Sequence, residues 1–194
     1  MCKLPFYNPK MQLYTDHHFD KINLLPPGDF EGCRFSHCDL QGTDLSGINF
    51  TECVFEDCNL SGTKILQTTF NDVKFSSCKI LGLHFETANQ HLFSVQFEKS
   101  TLDLCSFFQC KMKKTRLLHC SLQEVDFTET ILTEASFDGS NLKGAKFEST
   151  NLEKADLRTA VNYSIDPGIN KIKKASFSYP AVLSLLDRYD ILIK

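Results

Sequence analysis

The stretch CRFSHCDLQGTDLSGINFTECVFEDCNL, residues 33–60, decides how the whole chain is read. It holds two Cys-x4-Cys pairs, Cys33/Cys38 and Cys53/Cys58, the second following the first after twenty residues. Zinc ligation, disulfide pairing and plain packing are three readings of that spacing. The residues between the cysteines choose among them. Phe35, Leu40, Leu45, Phe50, Phe55 and Leu60 stand five apart, and each cysteine lies two residues before one of them. Side chains two apart in an extended chain share a face. Each cysteine therefore points where its large neighbour points, into the interior.

The rhythm extends well beyond this stretch. A large apolar residue occupies every fifth position from Phe30 to Phe85, including Phe75. The count slips by two residues in ETANQH (86–91), then resumes at Leu92 and runs through Phe97, Phe107, Met112, Phe127, Phe137 and Phe147 to Leu157. The slot two positions earlier is small or β-branched: Thr43, Thr63, Val73 and Cys78 before the slip, Cys105, Cys110, Cys120 and Ala135 after it. The other three positions of each unit are mostly polar. A period of five suits neither an amphipathic helix nor a long flat strand, so the chain must turn after every unit.

A second period of twenty overlies the first. The large residues read Phe-Phe-Leu-Leu, Phe-Phe-Leu-Ile, Phe-Phe-Ile-Phe, and Gly42, Gly62 and Gly82 recur in step. Four units then make one coil, and coils stack at roughly the 4.8 Å strand spacing, each satisfying its neighbours' backbone groups. The expected core contains Phe35, Phe55, Phe75, Phe97, Phe107, Phe127, Phe137 and Phe147, with Cys38, Cys58 and Cys78 one above another. Buried thiols of this kind behave as small hydrophobes. The repeat sets the Cys-x4-Cys spacing, not tetrahedral ligation, and neither a metal nor a disulfide is expected.

Composition is that of an ordinary globular chain: 42% hydrophobic, 23% charged and a net charge of −3 over 194 residues, with 17 Phe, 9 Cys and no Trp. No run approaches the roughly 20 apolar residues of a membrane helix, and the N-terminus lacks the apolar core of a secretory signal. The expectation is a cytoplasmic protein whose thiols stay reduced. Residues 1–24 read as a lead-in, 25–161 as the repeat region and 162–194 as a C-terminal cap. In SYPAVLSLLDRYDILIK, Val182, Leu185, Leu186 and Tyr189 fall at i, i+3, i+4 and i+7, the apolar face of a short α-helix. That face covers the last coil or pairs with its copy in a second chain.

The A/C/T-x-F/L-x-x pattern resembles the pentapeptide repeat family over about residues 28–160. The resemblance implies an all-β fold, a right-handed quadrilateral parallel β-helix with a C-terminal helical cap. The run NYSIDPGINKI (162–172) is similar to the tail of the microcin B17 immunity protein. Other members are the Qnr and MfpA quinolone-resistance proteins, several of which mimic DNA and bind DNA gyrase or topoisomerase IV. The resemblance thus implies a gyrase-binding DNA mimic that protects the enzyme from quinolones or other poisons. It further implies a homodimer formed through the C-terminal segment, and no direct contact with nucleic acid. The absence of any loop longer than the two-residue slip places the chain nearer the loop-free MfpA form.

The outward slots bear on that expectation. Residues 28–77 hold Asp29, Glu31, Asp39, Asp44, Glu52, Glu56, Asp57 and Asp72 against Arg34, Lys64 and Lys74. Glu124, Asp126, Glu129, Glu134 and Asp138 form a second acidic tract without intervening bases, and Lys111, Lys113, Lys114 and Arg116 form a basic knot between the two. The acids are candidates for contact with a basic DNA-binding groove. Leu66, Leu81, Phe93, Leu104, Phe108, Leu118 and Ile131 are apolar residues in outward slots. Of these, Phe93, Phe108 and Leu118 are candidates for a partner surface, which is the basis of the alternative, a passive scaffold for another protein. No phosphate loop, dinucleotide fingerprint or zincin motif is present. The repeat turns His119 outward and Cys120 inward, which separates the one adjacent thiol–imidazole pair. Neither an enzyme nor a cofactor is expected.

Overall fold

Corners set the architecture. In the computed structural model, which describes residues 12–189 and 191–192, the residue two after each large one has a left-handed backbone in nearly every unit: His37, Glu52, Asp57, Asp72, Leu104 and Glu124 among them. Glycine takes this corner on one edge of the coil at Gly42, Gly62 and Gly82 (φ 67°, 65° and 66°), where the missing Cβ removes the steric cost of the conformation. Each corner bends the chain from one flat face to the next, and four corners complete a coil.

Two faces are regular enough to form sheets. The strands are β1 (Gln12–Thr15), β2 (His18–Asp20), β3 (Gly28–Glu31), β4 (Arg34–Ser36), β5 (Asn49–Thr51), β6 (Val54–Glu56), β7 (Thr69–Asn71), β8 (Val73–Ser76), β9 (Val95–Glu98) and β10 (Leu117–Leu118). The first face stacks β1-β3-β5-β7 and the second β2-β4-β6-β8-β9-β10. All pairs are parallel, and equivalent residues such as Phe35, Phe55 and Phe75 align across coils. The third and fourth faces are joined by single parallel bridges, Asp39↔Asn59↔Lys79↔Thr101↔Ser121 and His84↔Ser106↔Asp126↔Lys146. The fold is a parallel β-solenoid with a short C-terminal helix.

The interior is a set of ladders. Phe35, Phe55, Phe75 and Phe97 stack with ring centroids 4.5, 5.1 and 5.2 Å apart. Phe107, Phe127 and Phe147 form another stack, edge-on to Phe137. Cys38, Cys58 and Cys78 lie in one column. The Cys38 amide donates to Cys58 Sγ, and the Cys58 and Cys78 thiols donate to the carbonyls of Phe35 and Phe55 in the preceding coil. Ser100 and Ser140 continue the column beyond the slip, each hydroxyl accepting from a cysteine amide at 3.0 and 2.9 Å.

The structure corrects the sequence reading in four places. The slip puts Phe93, not Leu92, inside: Phe93 is 9% exposed and Leu92 57%. Two 3-10 turns, Phe85–Thr87 and Gln90–Leu92, absorb the extra residues and rotate the chain by one position, which lets Phe93 close edge-on to Phe85. The solenoid is also already running at Gln12–Asp20, before the expected residue 25. Tyr14 and Phe19 stack on Phe30 and Phe35, but this coil pairs Gln12 with Gly28 after sixteen residues, so it breaks the twenty-residue rhythm. At the other end coiling passes residue 161, as Asp156 bridges Ser176. There Asn170 fills a small slot, its side chain accepting from Thr150 N and donating to Phe147 O.

The fourth correction concerns the terminal helix. Ala181–Tyr189 is a 3-10 helix, not α. At about 2.0 Å per residue the tighter winding spans more of the solenoid's end than an α-helix of equal length. Ala181 and Leu185 pack against the core, and Arg188 pairs with Asp166. Val182, Leu185 and Leu186 are half-buried and Tyr189 is exposed.

Candidate interaction surface

Each unit gives three side chains to the outside, so surface patches follow the register rather than the sequence order. The tract Glu124–Asp138 shows this. Asp126 lies on the fourth face, Asp138 on the second, and Glu124, Glu129 and Glu134 at three different corners. The five acids wind around the rod and form no common patch. Glu134 is further engaged by Lys154 at 3.4 Å and Lys114 at 3.7 Å, and Glu129 accepts from Gln109 at 2.8 Å.

The first face collects charge more effectively. Its N-terminal half presents Asp16, Asp29, Glu31, Glu52 and Asp72, brought together by the β1-β3-β5-β7 register and by corner hydrogen bonds from Asp16 N to Glu31 O and from Glu52 N to Asn71 O. None of the five pairs with Lys or Arg among the described residues. The C-terminal half of the same face carries Lys111, Lys113, Lys114, Lys154, Lys171, Lys173 and Lys174 against Glu134 and Glu153, along the bridge series Lys111↔Ile131↔Asn151↔Lys171. The second face is mixed and internally neutralised: Arg34 pairs with Glu56 at 2.9 Å and Arg158 with Asp156 at 2.7 Å. At its edge His37 bonds Asp20, holding that carboxyl below its usual range.

Apolar residues in outward slots are scattered. Leu66 (59% exposed) and Phe108 (36%) lie on the fourth face, Leu104 (60%) at its corner, and Ile131 on the first face. Leu81 and Leu118 are half-buried, and Phe93 is turned into the interior. Beside Leu66 the bare corners at Gly62 and Gly82 leave a shallow groove of about 430 Å³.

Thiol chemistry is suppressed by position. Burial pushes the thiols of Cys53, Cys105, Cys110 and Cys120 up to about 12 and that of Cys38 to about 11. Cys58 is raised by its hydrogen bond with Cys78 and then by burial. A thiol this far from its thiolate is a poor nucleophile and a poor ligand. Among the described residues no group of three His, Cys, Asp or Glu side chains is placed to hold a metal ion, and no helix is long and apolar enough to cross a membrane.

Comparisons agree with this architecture. The family model described as the pentapeptide repeat region matches residues 28–103 and 89–157. No curated protein sequence matches the chain. A trypsin-treated variant of QnrB1, a plasmid-mediated fluoroquinolone resistance protein, superposes with a TM-score of 0.63 at 16% identity, over 95% of this chain and 98% of that one. HetL, a pentapeptide repeat protein involved in heterocyst differentiation regulation from the cyanobacterium Nostoc sp. strain PCC 7120, gives 0.65 at 14% identity, over 86% and 84%. Both likenesses show the fold.

Proposed function

The chain belongs to the pentapeptide repeat family, and from that premise we propose that it is a non-catalytic binding protein that offers the acidic half of its first face to the DNA-binding groove of DNA gyrase or topoisomerase IV. The carrying observation is the set of five carboxylates with no Lys or Arg partner among the described residues, Asp16, Asp29, Glu31, Glu52 and Asp72, on one side of the rod. They span three coil steps, about 14 Å at the strand spacing, or one charge per roughly 3–4 Å. A single phosphate backbone carries one per about 3.4 Å, so a groove shaped for one strand's charge meets a similar density here. Because the carboxylates sit on hydrogen-bonded coils, little ordering is needed on binding. The fold likeness to a fluoroquinolone resistance protein supports the choice of enzyme class. Reduced sensitivity of the enzyme to quinolones is the expected outcome of such occupancy.

The test is DNA supercoiling by purified gyrase, with and without a quinolone. The wild-type chain should inhibit the enzyme or relieve the drug at micromolar concentration. The E31K/E52K/D72K variant should lose the effect, while E124K/D126K/E129K, which alters acids spread around the rod, should keep most of it. A wild-type chain with no effect on either reaction, or two triple variants equally impaired, would refute the reading.

A further inference from the structure

The first face carries opposite signs at its two ends, which makes it complementary to itself. Consider two copies related by a two-fold axis that lies in the plane of this face and runs across the rod. The rods are antiparallel, each side chain keeps its position across the face, and the order of coils is reversed. Acidic coils of one copy then oppose basic coils of the other.

We propose that the first face is a self-association surface whose occupant is a second, antiparallel copy of this chain. With the axis between the coil of Leu92 and that of Met112, Asp29 and Glu31 face Lys171 and Lys173, and Glu52 faces Lys154. Symmetry produces each pair twice. Asp72 then opposes Glu134, whose carboxylate is already shared between Lys114 and Lys154 of its own chain. Glu31, Glu52, Lys171 and Lys173 are exposed and make no ion pair among the described residues, Asp29 is half-buried, and the exposed Lys154 divides its ammonium between Glu134 of its own chain and Glu52 of the neighbour. A parallel arrangement would set acid on acid, and charge therefore selects the orientation. Exposed ion pairs are individually weak and screened by salt. The association is accordingly transient and strongest at low ionic strength, where the screening length is about 30 Å at 0.01 M and about 8 Å at 0.15 M. The proposal stands without the topoisomerase reading. If both hold, self-association hides the acidic half from the enzyme.

Sedimentation velocity on the full chain, with no topoisomerase present, tests it. The wild type should dimerise at about 0.01 M salt and weaken at least about tenfold by 0.15 M, as the falling screening length requires. D29K/E31K and K171E/K173E should each be monomeric under the same conditions. An equimolar mixture should dimerise again, because the reversed coil of each variant then meets opposite charge on the other. A monomeric wild type at low salt would overturn the proposal, as would a mixture that stays monomeric. Dimers that persist in either variant alone would assign the association to another surface, the C-terminal helix first.

Discussion

The rotation of the chain at the slip makes a test in which two adjacent residues exchange roles. Counting in fives puts Leu92 in the core and Phe93 outside, whereas the structure buries Phe93 to 9% exposure and leaves Leu92 57% exposed. Phe93 packs edge-on against Phe85, ring centroids 6.0 Å apart, and Phe85 in turn stacks on Phe107 at 4.6 Å. Phe93→Ala therefore opens a cavity where the two halves of the solenoid join. Buried Phe→Ala changes cost about 3–5 kcal/mol, and the residual exposure places this one near the lower end, about 3 kcal/mol. The lost edge-to-face contact, about 0.5–1.5 kcal/mol, is part of that figure. Leu92→Ala removes a side chain that mostly faces water and should change stability by about 0.5 kcal/mol or less. Urea denaturation followed by circular dichroism measures both, with a constant slope confirming that coils on the two sides still unfold together. Equal costs, or a larger cost at Leu92, would show that the 3-10 turns do not rotate the chain as described.

Phe55→Ala, which empties a fully buried site between stacked rings, should cost about 3–5 kcal/mol, and Phe108→Ala under about 1 kcal/mol. The raised thiols predict alkaline weakening: above their ordinary value of 9.0 the unfolded chain ionises while the folded chain does not. Their stabilisation is complete below pH 9 and lost as pH rises towards about 12, at up to ~1.4 kcal/mol per thiol per pH unit. Urea midpoints under reducing conditions should fall between pH 9 and 10.5, and less steeply in C53A/C105A. Leu104→Gly relieves a left-handed backbone (φ 62°) at an exposed corner; about 1–2 kcal/mol of strain against 0.5–1 of added chain entropy leaves a small rise in melting temperature, which Leu104→Ala should not reproduce. Moving one charge from the first–second corner to the next, as D72N/S77D, should weaken gyrase binding as much as D72N alone; restored affinity would mean that net charge, not placement, governs it.

The solenoid was legible because the interior has only two kinds of slot, and a five-residue period with a large and a small member satisfies no helix or flat strand. The cysteines followed directly, since Cys38, Cys58 and Cys78 share a slot with Ser100 and Ser140, residues that no metal or disulfide requires. What escaped were places where an interior slot is filled out of step. The first coil closes in sixteen residues through Leu24-Leu25-Pro26-Pro27, so Tyr14 and Phe19 fell outside the count. Asn170 satisfies the backbone of its neighbours with a polar side chain where the pattern expects a small one. Leu92 stands five before Phe97 and so takes the core slot in the count, whereas the adjacent Phe93 fills it in the fold.

The surface was less legible than the core, for a reason built into the coil. Residues five apart lie on adjacent faces that point about a quarter-turn away from each other, while residues twenty apart are nearest neighbours along the rod. A dense run of acids such as Glu124–Asp138 is therefore a ring, and a ring shows any single groove only one or two of its charges. Conversely Asp29, Glu52 and Asp72, separated by twenty or so residues and by intervening Arg34, Lys64 and Lys74, make a continuous acidic side because those bases occupy other faces. The same arithmetic gathers Lys113, Lys154 and Lys173 at the far end. Recognition in such a molecule is carried by series at the coil interval. The two extra residues at 86–91 lengthen that interval to twenty-two in one coil without moving any face, because the 3-10 turns take them up and Val73, Phe75 and Ser76 pair in register with Val95, Phe97 and Glu98. Every later series therefore keeps its face, and the opposition of charge along the first face carries across the slip.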